Sequence, residues 1–429
     1  MVVRSTVSLV TPHKVSSHAP LSPVGYYNGS MKNTHLEHLE DNILNAGSSG
    51  GIETVEFLKN FGNLLSGKKS DLRISTKWDG APAIICGKDP VNQRFFVGTK
   101  SVFNKVNPKV CYDDTDIDRY YSTEEYTILN KKLKICLKYL SQTGIVGVFQ
   151  GDLLFTEEDK KYAKIGGKQV VTFQPNTITY AVPVDSLKGI SVVEAKLGIV
   201  FHTIYFGDTL QDMKAVYNPN WQLHTIHTDE NIFIANANFA DESGIAKFNV
   251  RESAKFTALI NRATGSLKKS SEFLNIIHKY GTSKFVMALL FKQFFNQRIR
   301  KGQGIVDTKR VASDFAQFYS VKMDEEIASK KTEKYKSTYT QMKQEGLKFI
   351  AKYETDIYFT VASYISIRTA KKMVIDQLNK VKEINTFVDG VPSQPEGYVV
   401  SYDGTALKFV DDDFRKANIT VQKSWDLIH

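Results

Sequence analysis

The sequence predicts an α+β protein in which a β core, made of antiparallel sheets with flanking helices, is interrupted by a large helical insertion. Three observations support this fold class. Short runs rich in β-branched and aromatic residues follow one another between residues 71 and 208. Helical periodicity dominates residues 252–382, and a β-hairpin pattern follows at 396–410. Two strand-rich segments separated by about 175 residues are typical of one β domain that carries an insertion.

The composition fits a protein with a large buried core and excludes several classes. The chain has 429 residues, of which 42% are hydrophobic, so two or three domains are expected. No apolar run approaches the roughly 20 residues of a membrane span, and the first residues lack the features of a signal peptide. The three cysteines form no CxxC pair, which argues against disulfides and a cysteine zinc site. We therefore expect a cytoplasmic protein, in the host cytoplasm if it is viral.

The first 50 residues are predicted to form a loose arm followed by a helix. Residues 1–33 mix Ser, Pro, Gly and His without periodicity. The run at 34–44 has helical spacing, with Thr34 as its cap. The GSSGG run at 47–51 is expected to break this helix, and a second helix is expected at 52–66.

Residues 51–208 are predicted to form the first part of the β core. A helical pattern at about 123–141 interrupts the strands, and the strands are expected to stop after Gly207. Gly166-Gly167-Lys168 lacks the frame of a P-loop and is expected to be a hairpin turn. The predicted strand segments are RISTKWDG, APAIICGK, RFFVGTK, GIVGVFQGDLLF, NTITYAVPV and LGIVFHTIYF.

Residues 209–382 are predicted to be a basic, mostly helical insertion, and residues 383–429 complete the core with a hairpin that turns at Asp403-Gly404. Residues 251–382 contain 26 Lys and Arg against 12 Asp and Glu, a net charge of +14, whereas the remainder contains 30 against 34, a net charge of −4. Such asymmetry is typical of a surface that faces a polyanion, although solvated lysine-rich helices would give the same counts.

The strongest local signal is Lys77-Trp78-Asp79-Gly80, which places a lysine two residues before a turn between hydrophobic strands. A lysine becomes a nucleophile when burial or a neighbouring cation makes its neutral amine available. A KxDG run by itself is more often a surface turn. The signal gains weight from residues in or beside strands elsewhere in the chain, which are Lys100-Ser101, Gly151-Asp152, Phe201-His202, Glu396-Gly397 and Lys408.

This ordered series resembles the covalent nucleotidyltransferase superfamily of ATP-dependent DNA ligases, RNA ligases and mRNA capping enzymes. The resemblance covers about 71–208 and 383–412. The arrangement is most similar to uncharacterised, RNA-ligase-like tailed-phage proteins of this superfamily. The resemblance implies a ligase-type nucleotidyltransferase core and an ATP substrate, or GTP as in capping enzymes, with Mg²⁺ or Mn²⁺.

The resemblance also implies a role for each matched residue. Lys77 would attack the α-phosphate of the nucleotide and form a lysine–nucleotide phosphoramidate, while pyrophosphate leaves. Glu396 and Asp152 would hold the metal, and Asp152 stands where the family usually has the longer glutamate. Lys408 would contact the α-phosphate. The other positions implied in nucleotide binding are Thr76, Trp78, Asp79, Gly80, Lys100, Ser101, Phe201 and His202.

The chemistry agrees with this set independently of the family. Nucleotidyl transfer builds negative charge at phosphorus, which lysines and a divalent cation neutralise. Lys408 beside Lys77 would favour the neutral amine. Strand alternation puts Phe201 and His202 on opposite faces, so only one of them can line the nucleotide pocket.

Two features depart from the family pattern. The last motif usually carries two lysines that flank one residue, and Ala406 stands at the first of these positions. The 21 residues after Lys408 leave no room for the C-terminal OB domain of DNA ligases and capping enzymes.

The favoured function is therefore an ATP-dependent polynucleotide ligase, with RNA as the favoured polymer, held by the basic insertion. One alternative is a nucleotidyltransferase that adenylylates a protein or another acceptor, and another is a non-catalytic nucleotide-binding relative. His35 and His38, three residues apart, would suit a metal or phosphate site or simply a polar helix face.

Overall fold

The computed structural model describes residues 37–217, 226, 229–235, 244–281, 285–381, 384–388, 390–394, 396–402 and 405–411. Within these residues the fold is mixed α+β with antiparallel sheets, which confirms the predicted class at this coarse level. Thr34, His35 and the Asp403-Gly404 turn lie outside the described residues.

The helices alternate with strands in the first half of the chain and follow one another in the second. They are α1 (Asn42–Asn45), α2 (Gly47–Leu65), α3 (Asp114–Tyr120), α4 (Thr127–Leu140), α5 (Leu187–Glu194), α6 (Val250–Ile276), α7 (Met287–Arg300), α8 (Thr308–Ala328), α9 (Glu333–Lys352) and α10 (Glu354–Leu378).

The strands come in two groups, one on each side of the helices α6 to α10. They are β1 (Arg73–Lys77), β2 (Ala83–Lys88), β3 (Phe95–Gly98), β4 (Val148–Thr156), β5 (Lys161–Ile165), β6 (Lys168–Phe173), β7 (Thr179–Pro183), β8 (Leu197–Phe206), β9 (Lys214–Tyr217), β10 (Ile232–Ile234), β11 (Asn385–Val388), β12 (Val391–Ser393), β13 (Gly397–Tyr402) and β14 (Thr405–Val410).

The strands form three sheets. One has the order β10-β8-β4-β2-β3, with β9 also paired to β8, and a second has the order β12-β11-β7-β6-β5. The third is a small sheet with the order β1-β13-β14. The prediction that strands stop after Gly207 is wrong, because β9 and β10 extend the first sheet beyond that point.

The small sheet has two different faces. Ile74, Val400 and Leu407 stand opposite one another and belong to the same hydrophobic core as the helices. The next residue of β14, Lys408, stands opposite Val399 on the other face, as strand alternation requires. Lys77, three residues after Ile74, lies on that second face too. The small sheet therefore separates the helices from the face that carries these two lysines.

The predicted helix break is present, but it lies at the start of the GSSGG run and not across it: α1 ends at Asn45, Gly47 has a φ of +62°, and the run forms the first residues of α2. Gly50 and Gly51 are buried where other backbone and side chains approach closely. A Cβ at Gly50 would lie 2.2 Å from the carbonyl oxygen of Asn42, and one at Gly51 would lie 3.1 Å from Leu267. These glycines permit tight packing of helices, a role that sequence alone does not distinguish from a breaker.

The helices α6 to α10 share one hydrophobic core with α2 and the small sheet. The rings of Phe61 in α2 and Phe409 in β14 are 4.9 Å apart, and those of Phe295 in α7 and Tyr364 in α10 are 3.8 Å apart. The helices of the predicted insertion are thus packed into the same core as α2 and the small sheet. No described helix is long and apolar enough to cross a membrane.

Candidate active site

Lys77 ends β1 at a point where it meets the start of β13. It pairs in register with Gly397, and its ammonium hydrogen bonds and forms an ion pair with the carboxylate of Glu396. The two residues are 319 positions apart in the chain. Both side chains are largely buried, at 24% and 9% exposure, so their charges are poorly screened by water.

The electrostatic surroundings of Lys77 are dominated by carboxylates. Burial lowers its pKa, but the nearby charges of Glu396, Asp152 and Asp79 outweigh burial and leave the pKa raised. The sequence predicted that Lys408 would favour a neutral amine. The repulsion between the two lysines is present, but the carboxylates outweigh it and favour the ammonium form of Lys77.

Lys408 adds a second cation to the same face of the small sheet. Burial lowers its pKa most, and the charges of Lys77 and Lys100 lower it further, against the opposing influence of Glu396 and Glu37. Lys408 thus lies within electrostatic reach of both Lys77 and Lys100. Lys77 and Lys408 share the carboxylate of Glu396 between them.

Lys100 is presented by a short 3₁₀ helix, Lys100–Phe103, whose first turn is capped by the Thr99 side chain. Lys100 is exposed. The Ser101 hydroxyl lies 2.9 Å from the Thr99 hydroxyl and 3.3 Å from that of Tyr121. Ser101 thus belongs to a hydroxyl network that shapes the turn and positions Lys100.

Asp152 of β4 and His202 of β8 lie beside each other. The His202 Nε2 lies 3.4 Å from Asp152 Oδ2, and its Nδ1 lies 2.8 Å from the Thr203 hydroxyl. Phe201 instead is buried against Phe149, with ring centroids 5.8 Å apart. The two neighbours in β8 thus point in different directions, as predicted, and His202 is the one beside Asp152.

Asp79 fixes the loop after β1 rather than facing open space. One carboxylate oxygen accepts a hydrogen bond of 2.7 Å from the Asn176 amide, and the other accepts from the backbone N–H groups of Thr177 and Ile178, at 2.7 and 2.9 Å. Its own N–H donates to the Tyr180 hydroxyl at 2.7 Å. Both oxygens of Asp79 are thus engaged by the loop before β7, which gives this residue a positioning role, and its contact with a nucleotide stays a prediction.

Gly80 and Trp78 also have structural reasons to be present. A Cβ at Gly80 would lie 2.6 Å from the Cβ of Asp152, so only glycine lets the loop pass this close to β4. Trp78 is buried against Tyr180, with ring centroids 4.9 Å apart. Thr76 pairs with Tyr398 in register and shares its helix-facing side of the small sheet, which places it away from Lys77.

Comparison with known proteins identifies a family for the chain. A model described as a family of unknown function, DUF6267, matches residues 33–423. The chain belongs to the DUF6267 family. No curated protein and no solved structure matches it.

The site of this DUF6267 chain has two carboxylates that could bind a divalent metal ion. Among the described residues no group of three or more His, Cys, Asp or Glu side chains would hold a metal by itself. Asp152 and Glu396 both act electrostatically on Lys77 and so flank it. Two carboxylates suit Mg²⁺ when phosphate oxygens and water complete its coordination, since Mg²⁺ is usually held in this way.

Three residues of the DUF6267 site were not predicted from sequence. Tyr217 stacks on His202 with ring centroids 6.1 Å apart, and burial raises its pKa to about 12. The Tyr180 hydroxyl accepts a hydrogen bond from the backbone N–H of Asp79. The backbone oxygen of Glu37 accepts from the Lys408 N–H at 2.8 Å, and its carboxylate pairs with Lys292 at 2.5 Å. The alternating run KAVY at 214–217 was a signal for the strand that carries Tyr217.

Proposed function

We propose that this chain is an ATP-dependent nucleotidyltransferase that forms a lysyl-AMP intermediate at Lys77 and joins polynucleotide ends, with RNA as the favoured polymer. The observation that carries the proposal is the convergence of Lys77, Asp152, Glu396 and Lys408, which come from four different strands or strand ends. The order of these residues along the chain also resembles that of covalent nucleotidyltransferases, whose ligase-type core would have this α+β character.

The first step would convert the Lys77 ammonium to an amine and then form a nitrogen–phosphorus bond. Its nitrogen attacks the α-phosphorus of ATP, the bond to the bridging oxygen breaks, and pyrophosphate leaves with the electron pair. Lys408 and Lys100 would neutralise charge on the phosphates in the transition state. The joining step would transfer AMP from Lys77 to a 5′-phosphate end, after which attack by a 3′-hydroxyl releases AMP.

Removal of the Lys77 proton requires a change in the surrounding charges. Asp152 and Glu396 would hold Mg²⁺ or Mn²⁺, which supplies positive charge to the phosphates and to these two carboxylates. Lys77 would then lose the interactions that raise its pKa, so that burial would dominate and favour the neutral amine. Glu396, already hydrogen bonded to the ammonium, is the nearest acceptor for its proton.

His202 is the residue that would stack on the nucleobase. It stacks on Tyr217 and lies on the Asp152 side of β8, whereas Phe201 is buried in the core. The sequence left open whether Phe201 or His202 lines the nucleotide pocket. These contacts favour His202 for the base-stacking role.

A second acceptor class is favoured by one observation about the helices. Several lysines of this segment pair with acids of α8 and α9: Lys330, just after α8, with Glu326, Lys336 with Glu333, and Lys343 with Asp324. The helices also lie behind the small sheet, on the side away from Lys77. These features favour adenylylation of a protein or another acceptor as the alternative function.

Incubation with ATP or GTP radiolabelled at the α-phosphate, followed by a denaturing gel, tests the proposal. Wild-type protein should carry label in the presence of Mg²⁺, lose it on addition of pyrophosphate, and pass it to a 5′-phosphorylated RNA. The Lys77→Arg variant keeps the positive charge but should carry no label. Protein that never becomes labelled would overturn the proposal, and label that passes only to protein acceptors would favour the alternative.

A further inference from the structure

We propose that the β5–β6 hairpin, residues 160–173, is the surface that holds a single-stranded RNA acceptor, in place of the basic helices. The inference rests on the proposed function and names an acceptor surface for that same site. Its first basis is composition, since residues 160–184 contain four lysines and no aspartate or glutamate. All four lysines lie in the hairpin or immediately before it.

Three of these lysines have no acidic partner among the described residues, and one has a structural task. The Lys160 ammonium donates to the carbonyl oxygens of Val192, Val193 and Ala195, which end α5. Lys161, Lys164 and Lys168 are exposed and form no ion pair with described residues. Strand alternation puts Lys161 and Lys168 on one face of the hairpin and Lys164 on the other, so their ammonium ions lie on both sides of the edge strand β5. Ammonium ions without acidic partners along an exposed edge are suited to phosphate.

The acids beside the hairpin do not cancel this charge completely. Glu157 is paired with Lys196, and Asp159 lies 3.4 Å from Lys132. Glu158 stands in the turn before β5 and remains exposed. Local charge at the hairpin itself therefore stays positive.

The hairpin also offers a ring for base stacking. Tyr162 is 61% exposed on β5, an edge strand of its sheet. Its neighbour two positions on, Lys164, shares its face, and Gln169 stands opposite Lys164. An exposed ring beside a cation and an amide is the combination that proteins use to bind single strands without sequence preference.

Both ends of the hairpin connect to the candidate active site. It follows β4, which carries Asp152, and it leads into the loop at 176–178 that binds the Asp79 carboxylate. From Lys161 to the turn at Gly166-Gly167 the strand runs for about 15 Å, enough for about four nucleotides at the spacing of a stacked strand. A strand bound along the hairpin would thus extend away from the Lys77 region.

A different explanation for these exposed lysines is that they protect the edge strand β5 from pairing with other chains. Lysine on an exposed edge strand discourages pairing with other chains, without any ligand. That explanation accounts for β5, and it extends to Lys168, because the pairing of β6 with β7 begins only at Val170. The two explanations differ in what removal of the charge does, since one predicts association of the protein and the other predicts lower RNA affinity.

The test measures anisotropy of a labelled single-stranded RNA over a salt series, without ATP. The Lys161→Gln/Lys164→Gln/Lys168→Gln variant should bind about tenfold more weakly at low salt, with a salt slope reduced by about 2, since each phosphate contact on a single strand contributes about 0.7. Tyr162→Leu should weaken binding about fivefold and leave the slope unchanged, because a stacked base is lost. Labelling at Lys77 should change less than twofold in both.

The matched control removes three charges from the helices. Lys331→Gln/Lys334→Gln/Lys348→Gln alters three exposed lysines of α9 and the turn before it, which form no ion pair with described residues, and it should leave affinity nearly unchanged. Equal losses in both triple variants, or no loss in the hairpin variant, would overturn the proposal. Gel filtration of the hairpin variant tests whether the lysines prevent association of the protein. Association without a loss of RNA affinity would support the edge explanation and overturn the RNA-binding proposal. Absence of label at Lys77 would instead reject the proposed function. The anisotropy measurement would then decide only whether the hairpin binds RNA.

Discussion

The charge state of Lys77 is the residue-level feature with the clearest consequence. Its pKa is raised, so the neutral amine becomes available only as the pH rises, and labelling should accelerate through the neutral and alkaline range. Asp152→Asn removes one of the charges that raise this pKa. We predict that the acid limb of its pH–rate profile moves to lower pH, while the maximal rate falls about a hundredfold because a charge near the phosphates is lost.

The measurement is the initial labelling rate across a pH series at ATP concentrations far below saturation, because this rate reports the free protein, in which no metal offsets the carboxylates. Asp118→Asn is a suitable control, since Asp118 is an exposed carboxylate that pairs with Lys134 away from the site. A profile of Asp152→Asn that shifts to higher pH would contradict the electrostatic account of Lys77.

Gly80 tests whether the close approach of the loop to β4 matters for the site. In Gly80→Ala the new methyl group would lie 2.6 Å from the Asp152 Cβ, so Asp152 or the loop must move. We predict a loss of stability of about 1–3 kcal/mol and a larger proportional loss of labelling. Thermal unfolding and labelling are measured together with Gly265→Ala, whose Cβ meets no atom within 4 Å and which should be neutral or stabilising. Equal behaviour of the two variants would contradict the role of Gly80.

At the scale of elements, Asp79 joins the loop after β1 to the loop before β7. Asp79→Asn keeps the shape but replaces an acceptor with an amide group that must face two backbone N–H donors or the Asn176 amide. We predict that the free energy of unfolding falls by about 1–3 kcal/mol, since a buried donor loses its partner. Chemical denaturation in the absence of nucleotide is the measurement. A variant as stable as wild type that only loses nucleotide affinity would favour the ligand-contact role predicted from sequence.

The sequence predicted helices and strands well where a single helical or strand pattern dominated a segment. The helical pattern at about 123–141 became α4, the run at 197–206 became β8, and Gly166-Gly167 became the turn between β5 and β6. It misplaced the start of α2, where Gly50 and Gly51 serve close packing against Asn42 and Leu267, which lies more than 200 residues away. It also missed β10, whose parallel pairing with β8 depends on a distant partner.

The sequence predicted the members of the candidate site better than their roles. The structure brings them together around Lys77: Asp152 and Glu396 act electrostatically on Lys77, and Lys77 and Glu396 act on Lys408. The contacts of Asp79 and the face on which Thr76 lies could not be predicted, because a KxDG run does not reveal which groups stand opposite each side chain.

At the scale of the whole molecule, the shared core makes the helices necessary for the fold. Replacing residues 250–378 by a flexible linker would expose the apolar face formed by Ile74, Leu407 and Phe409, and would remove the partners of α2. We predict that the shortened protein is insoluble or lacks a cooperative thermal transition, because several large apolar side chains lose their burial. A soluble shortened protein with a cooperative transition would show that the β sheets are an independent domain, as the sequence suggested.

The central claim is that Lys77 is the nucleophile of a nucleotidyl transfer. The most direct measurement is peptide mapping by mass spectrometry of protein incubated with ATP and Mg²⁺, with conditions kept alkaline to preserve a phosphoramidate. The account predicts one AMP adduct, on the peptide that contains Lys77, and its loss after treatment with pyrophosphate. Unmodified protein, or an adduct confined to Lys100, Lys408 or another residue, would contradict it.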